Sequence, residues 1–379
     1  MAKIKQIFLL FSLLLSVLSY SQIKVASERT NIYLPLLKQQ KIAVVGNQSS
    51  RIKKTHLVDS LITLGIDIVK VFSPEHGFRG TEDAGAKIED GIDVKTGIPI
   101  ISLYGKNKKP YTKQLAGIDI LLFDIQDVGA RFYTYISTLH YIMEAAAENN
   151  IKVIVLDRPN PNGHYVDGPI REEGFESFVG MHPIPIVHGM TIGEYAQMIN
   201  GENWISAKCN LTVIEMENYT HESSYDLPIK PSPNLPNARS INLYPSLCLF
   251  EGTTISIGRG TSHPFQQFGA PYLESSYSFT PKSGEGSKYP KHENKECSGT
   301  DLRFQDNYLT EINLNWLIES YNNCPDKEKF FNNFFDKLAG TDKLRLQIIE
   351  GKTSKEIKES WEEGLGNFKE IRGKYLIYQ

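Results

Sequence analysis

From residue 41 onward, segments that are apolar throughout alternate with segments of helical spacing. The strand-like segments are KIAVVG (41–46), IDIVKVF (66–72), IDILLFDIQD (118–127), IKVIVLD (151–157) and NLTVIEM (210–216). Between them, helical spacing predicts helices over 55–65, 133–150 and 191–201. Because strands that are apolar throughout need cover on both faces, the alternation predicts an α/β fold with a Rossmann-like, doubly wound, mostly parallel sheet.

The second part of the chain has a different composition. Residues 230–271 are rich in Pro, Gly and Ser with little periodicity, which predicts a long ordered connection. Shorter strand-like and helix-like pieces follow to the C-terminus. A chain of 379 residues exceeds one ordinary core. We therefore predict a Rossmann-like catalytic domain at 22–262 and a smaller α+β C-terminal domain at 263–379.

The first 21 residues predict a signal peptide. Lys3 and Lys5 precede the apolar run IFLLFSLLLSVL, which is followed by small residues and a cleavage site near Ser21. The alternative is an uncleaved membrane anchor. Cleavage would give a periplasmic or secreted protein with no membrane association.

Several classes of function are disfavoured. A net charge of −3 gives no basic surface for nucleic acid. The sequence lacks the glycine-rich dinucleotide and phosphate motifs, the G-x-S-x-G elbow and the H-E-x-x-H zinc motif. The four cysteines form no C-x-x-C pair, so disulfides and buried thiols both stay open. We predict no cofactor and no metal.

Polar side chains follow the predicted strands where ligands bind in open α/β sheets. They are Asn47 after the first strand, Glu75, His76 and Arg79 after the second, Asp124, Gln126, Asp127 and Arg131 after the third, Asp157 and Arg158 after the fourth, and His188 after the short run IPIVHG. Each alone has a structural explanation, such as a helix cap or an ion pair. Because these residues follow five different segments of the chain, together they predict a functional site. Pro74 and Gly77 would set the turn that presents Glu75 to it.

The residue types indicate a class of chemistry. Carboxyl groups perform general acid–base work, and arginines bind carboxylates. Tyr133, in GARFYTY, offers an apolar face to a sugar ring. The combination predicts hydrolysis of an anionic carbohydrate.

Six motifs occur in order along the chain: SPEHGFRG, FDIQDVGARFYTY, LDRPNP, HGMTIGE, SPNLP and LFEGTTISIGRGT. In these the chain resembles the YbbC/NamZ family of exo-β-N-acetylmuramidases. The resemblance implies a cleft between two domains and release of N-acetylmuramic acid from the non-reducing ends of peptidoglycan fragments, in cell-wall turnover. The substrate would be a peptidoglycan-derived muropeptide or disaccharide.

The resemblance also assigns roles. It implies that Glu75 is the catalytic acid/base and that His76 orients it. Arg79, Arg131 and Arg259 are candidates to bind the lactyl carboxylate of the sugar. The other substrate-binding candidates are Asn47, Gln126, Tyr133, Asp157, Arg158, His188 and Asn234.

The second catalytic group stays open. Asp127 and Asp124 are the first candidates, and Asp157 is the next. Retention, inversion and attack by the substrate's own acetamido group all fit the sequence. Two other functions stay open: a non-catalytic wall-fragment binding protein, and an amidase or esterase that acts on wall peptides.

Overall fold

The computed structural model describes residues 22–75, 77–79, 90–305 and 307–378. The predicted signal peptide and His76 lie outside these residues.

A seven-stranded sheet forms the centre of the N-terminal part. The strands of the described chain are β1 Lys41–Gly46, β2 Arg51–Ile52, β3 Thr55–His56, β4 Asp67–Ser73, β5 Gly91–Ile92, β6 Pro99–Ser102, β7 Ile120–Asp124, β8 Lys152–Leu156, β9 Leu211–Ile214, β10 Gln267–Ala270, β11 Tyr277–Phe279 and β12 Cys297–Asp301. The large sheet has the order β5-β6-β4-β1-β7-β8-β9. All its neighbouring strands are parallel except β5 and β6.

Helices cover both faces of this sheet. The α-helices are α1 Thr30–Leu37, α2 Leu57–Thr63, α3 Thr112–Leu115, α4 Tyr135–Glu148, α5 Ile192–Gly201, α6 Ala238–Leu247, α7 Asn315–Asn322, α8 Phe335–Ala339, α9 Lys343–Ile349, α10 Ser354–Glu359 and α11 Glu362–Gly373. Ile42 and Val44 of β1 join the core that contains α2, whereas Ala43 and Val45 join the core that contains α4. Alternate residues thus point to opposite faces, and the doubly wound prediction is confirmed.

The C-terminal part has its own small sheet. Strands β10, β12 and β11 are antiparallel in that order, and helices α7 to α11 follow them. Phe250, Phe268 and Phe335 share one core with Phe123 of the large sheet. The predicted smaller C-terminal domain is confirmed, while its boundary at 262/263 stays a prediction because one core runs across it.

Two local predictions were wrong. The connection at 230–271 contains helix α6. The Asn237 side chain caps this helix by accepting a hydrogen bond from the N–H of Ser240, and Pro245 lies inside it. The run IPIVHG is not a strand, since Val187 makes only isolated bridges to Ala130 and Asp167. Strands β5 (GI) and β6 (PIIS) were not predicted, because segments of two and four residues are too short to show a periodic pattern.

The four cysteines are buried free thiols: Cys209, Cys248, Cys297 and Cys324. The sequence left disulfides and buried thiols open, and the structure shows buried thiols. Within the described residues, no helix has the length and apolar character to cross a membrane.

Candidate active site

A cleft of about 1140 Å³ lies between the large sheet and the C-terminal domain. One group of lining residues belongs to the segments that come after strands β4, β6, β7 and β8, and it includes Glu75, Tyr104, Lys108, Tyr133, Tyr135 and Phe178. The other comes from residues 232–289 and includes Asn234, Tyr244, Glu251, Arg259, Phe265 and Tyr289. Of the residues predicted from sequence, the cleft therefore contains Glu75, Tyr133, Asn234 and Arg259.

Glu75 enters the cleft from the turn after β4. The turn is closed by the N–H of Gly77, which donates to the carbonyl of Pro74 at 3.3 Å. Gly77 has a φ of 75°, a conformation that favours glycine. The half-buried Glu75 carboxyl accepts a hydrogen bond from Tyr104; burial and then the Glu75 charge raise the pKa of Tyr104. This turn thus places an acid at the cleft, and the catalytic role of Glu75 stays a prediction.

Three tyrosine rings form a row along the cleft. Tyr133 meets Tyr135 and Tyr244 edge-to-face, with ring centroids 4.9 and 5.7 Å away. Burial raises the pKa of all three hydroxyls, and the charge of Glu75 adds to the effect on Tyr135. The fully buried Asn47 donates from Nδ2 to the Tyr135 hydroxyl at 2.9 Å. Asn47 thus supports the row from the interior and does not line the cleft.

Arg259 presents a guanidinium to the other side of the cleft. Its Nε donates to Oε1 of Glu251 at 2.5 Å, and its Cζ lies 5.0 Å from the ring centroid of Phe265. Within the described residues, its two Nη groups have no hydrogen-bond partner. Asn234 nearby donates from Nδ2 to the carbonyl of Gly286 at 2.7 Å. Of these groups, the Arg259 guanidinium is the one with free N–H donors for an anion.

The other two arginines predicted to bind the lactyl group do not line the cleft. Arg79 is held by Asp93 at 2.6 Å and by Asp59 at 3.0 Å. Arg131 is fully buried and donates four hydrogen bonds to the carbonyls of Pro169, Ile184, Leu338 and Ala339. Burial lowers the pKa of Arg131 to about 9, which leaves it charged at neutral pH. Both arginines therefore bind the protein itself, which corrects the prediction for them.

Asp124 and Asp157 are also buried in the scaffold. Asp124 accepts from Nε of Arg158 at 2.6 Å, and the side chains of both are closed to solvent. Asp157 accepts from Thr191 Oγ1 at 2.7 Å and from Tyr378 Oη at 2.7 Å. Burial raises the pKa of Asp157 to about 7. The contacts of Asp157 cap α5 and hold the C-terminal tail, whereas Asp124 is paired with Arg158. Neither aspartate lines the cleft, so neither faces Glu75 across it.

Asp127 lies behind the tyrosine row. It is buried and accepts from the N–H of Gly129 at 2.7 Å, while its Oδ1 has no partner among the described residues. Burial raises the pKa of Asp127 to about 7. His188 is similarly buried, and Gln126 donates to the carbonyls of Asp127 and Pro159. Most of the polar residues at the strand ends are therefore buried and do not line the cleft.

Comparison with known proteins identifies the family. Residues 42–239 match the family described as "Exo-beta-N-acetylmuramidase NamZ, N-terminal", and residues 242–378 match "Exo-beta-N-acetylmuramidase NamZ, C-terminal". The chain belongs to the NamZ family. A curated relative, the peptidoglycan beta-N-acetylmuramidase NamZ of Bacillus subtilis (strain 168), is 41% identical over 377 residues, 91% of this chain and 89% of the relative.

Two solved structures share the NamZ-family fold. Both are DUF1343 family proteins from Bacteroides fragilis NCTC 9343. One has a TM-score of 0.89 and 47% identity over 95% of this chain and 99% of its own. The other has a TM-score of 0.82 and 30% identity over 94% and 99%. The family, the fold class and the glycosidase class predicted from sequence are confirmed.

Sequence reasoning missed several residues of the NamZ-family cleft, namely Tyr104, Lys108, Phe178, Glu251 and Tyr289. None of them follows a predicted strand directly. Glu251 nevertheless lies within LFEGTTISIGRGT, one of the motifs that carried the resemblance. That motif was the available signal for Glu251.

Proposed function

We propose that this protein removes N-acetylmuramic acid from the non-reducing ends of peptidoglycan-derived muropeptides or disaccharides, with Glu75 as the acid. The observation that carries the proposal is the placement of Glu75 in a cleft that also contains the Arg259 guanidinium. The name of the Bacillus subtilis relative, a peptidoglycan beta-N-acetylmuramidase, supports the same substrate class.

The cleft suits the parts of this sugar. The tyrosine row of Tyr135, Tyr133 and Tyr244 gives a pyranose ring an apolar surface. The unpartnered Nη groups of Arg259 suit the lactyl carboxylate, because a guanidinium binds a carboxylate through two parallel hydrogen bonds. Glu75, beside Tyr104, would protonate the glycosidic oxygen as the bond breaks. A positioned acid of this kind contributes about 10²–10⁴ in rate.

The decisive experiment compares wild type with Glu75→Gln on a chromogenic N-acetylmuramic acid β-glycoside. We expect Glu75→Gln to lose at least about 100-fold in kcat while its thermal unfolding is unchanged. Glu148→Gln on α4, exposed and outside the cleft, is the control and should keep full turnover. Near-normal turnover of Glu75→Gln would remove Glu75 from the role.

Product analysis separates the other two functions. Mass spectrometry after incubation with peptidoglycan fragments should detect the free muramic acid sugar. Released peptide in its place would indicate an amidase or esterase, and no product with retained binding would indicate a wall-fragment binding protein.

We further propose that residues 1–21 are removed on export and that the mature protein is periplasmic or secreted. The charged start and the apolar run support this. Intact mass of the protein recovered from the cell envelope or medium should correspond to a chain that begins near Gln22. A full-length chain in the membrane fraction would contradict it.

A further inference from the structure

Two carboxylates line the cleft among the described residues, and only one was predicted. Glu75 comes from the turn after β4, and Glu251 comes from the 3-10 turn Cys248–Gly252 that follows α6. Asp124, Asp127 and Asp157, the predicted second groups, are all closed to solvent. The side chain of Glu251 is 25% exposed, which leaves it accessible to a ligand in the cleft.

The tyrosine row connects the two carboxylates. The charge of Glu75 acts on Tyr135 at one end, where it raises the pKa of the phenol in addition to burial. At the other end, burial and then Cys248 raise the pKa of Tyr244; Glu251 lies close enough to add to this, while the charge of Arg259 opposes it. Tyr133 lies between these rings and contacts both. A sugar ring on this row has a carboxyl group toward each end.

The segment that carries Glu251 is held rigidly. Half-buried Lys291 donates from Nζ to the carbonyls of Phe250 and Ile255 at 3.0 and 2.9 Å, and also to that of Thr253. Gly252, the next residue, packs so closely on α8 that a Cβ there would lie 2.4 Å from Cα of Phe335. The Arg259 ion pair then fixes the carboxylate itself. Such support on rigid elements is what a catalytic group needs.

We propose that Glu251 is the second carboxyl group of the reaction and acts at the face of the anomeric carbon opposite the leaving oxygen. The inference rests on the proposed function and adds the group that the sequence left open. Glycoside hydrolysis usually uses two such groups, one on either side of the bond. Arg259 is a positioning residue for Glu251 as well as a donor to the lactyl carboxylate.

The step balances with these groups alone. The glycosidic C–O bond breaks, its electron pair goes to the leaving oxygen, and that oxygen takes the proton of Glu75. Glu251 stabilises the positive charge that develops at the anomeric carbon and the ring oxygen. Water then adds to the anomeric carbon and loses one proton to the carboxylates, so the two groups end the cycle with one proton between them, as they began.

The test uses Glu251→Gln and Glu251→Ala with the chromogenic β-glycoside. We expect both to lose about 100-fold or more in kcat, since each removes a charge that stabilises the transition state. Azide added to Glu251→Ala should restore release of the chromophore and give the α-glycosyl azide, because the anion attacks from the face that the carboxylate occupied. A purely structural role would not produce that adduct.

Asp301→Asn is the matched control. Asp301 pairs with Arg303 at 2.7 Å with side-chain exposures of 20% and 29%, close to the 25% and 29% of Glu251 and Arg259, and it lies outside the cleft. We expect it to keep wild-type turnover. Turnover of the Glu251 variants within about threefold of wild type, or an inactive Glu251→Ala that yields no azide product or the β-azide, would overturn the inference. If wild type itself releases no muramic acid sugar, the proposed function fails instead.

Discussion

Oδ2 of Asp127 lies 3.9 Å from Nε2 of His188, and both side chains are buried. The atoms Oδ1 of Asp127 and Nε2 of His188 have no hydrogen-bond partner among the described residues. Burial raises the pKa of Asp127 to about 7 and lowers the pKa of His188 to about 3. The fold therefore favours the neutral form of both groups in weakly acidic solution.

This relationship predicts a pH-dependent stability that Asp127→Asn removes. Between pH 4 and 7, folded Asp127 keeps a proton that the unfolded chain has released, so the free energy of unfolding falls as pH rises through that window. From pH 5 to 7, wild type should lose roughly 2–3 kcal/mol more than Asp127→Asn. The His188 contribution is present in both proteins and cancels in the comparison. Urea unfolding at several pH values measures this, and parallel curves for the two proteins would contradict it.

Arg131 is predicted to be essential for stability. Arg131→Met removes four hydrogen bonds from buried carbonyls and should lower the free energy of unfolding by about 3 kcal/mol or more. Arg345→Met is the control: its ion pair with Asp336 has side-chain exposures of 28% and 23%, so its loss should cost no more than about 1 kcal/mol. Equal losses in urea unfolding would show that the four hydrogen bonds of Arg131 contribute no more than the partly exposed ion pair of Arg345.

The large sheet could be predicted from sequence because its strands are apolar throughout. β1, β7 and β8 have the predicted positions within a few residues, and α5 lies within the helix predicted over 191–201. Strands β5 and β6, at one end of the sheet, are short and partly exposed, so they carry no such pattern. Local patterns thus identify the central strands and β9 at one edge of the sheet, but not β5 and β6 at the other.

The site could be predicted only in part. Strand ends locate Glu75 and Asp127 near one edge, but whether a side chain enters the cleft depends on residues distant in sequence. Arg131 is captured by the carbonyls of Leu338 and Ala339, more than 200 positions away. Glu251 follows helix α6, which contains Pro245, and does not follow a strand. Tertiary contacts, which no local sequence pattern encodes, therefore decide whether Arg131 and Glu251 line the cleft.

Arg259 is predicted to recognise the lactyl carboxylate. Arg259→Gln should raise the inhibition constant of free N-acetylmuramic acid by about 10–100-fold, since a hydrogen bond to a charged group contributes about 1.5–3 kcal/mol. Inhibition by N-acetylglucosamine, which lacks the lactyl group, should not change. Arg303→Gln has the same 29% side-chain exposure outside the cleft and should leave both constants unaltered. An equal change for the two sugars would remove Arg259 from this role.

Tyr289 is predicted to bind the part of the substrate at the rim of the cleft. Its ring is 81% exposed, and Nζ of Lys288 lies 5.5 Å from the ring centroid. Tyr289→Ala should raise KM about fivefold to tenfold with little change in kcat, because a ring contact is worth about 0.5–1.5 kcal/mol and a contact at the rim is made equally in the ground state and the transition state.

Tyr308→Ala is the matched control for the rim. Tyr308 is 51% exposed, its ring has Arg239 at 4.8 Å, and it lies outside the cleft. Loss of an exposed ring with a neighbouring cation is therefore common to both variants, and only the location differs. Steady-state kinetics on the disaccharide should show an unchanged KM for Tyr308→Ala. If Tyr289→Ala also keeps its KM, or if it lowers kcat in place of raising KM, the ring does not bind the substrate at the rim.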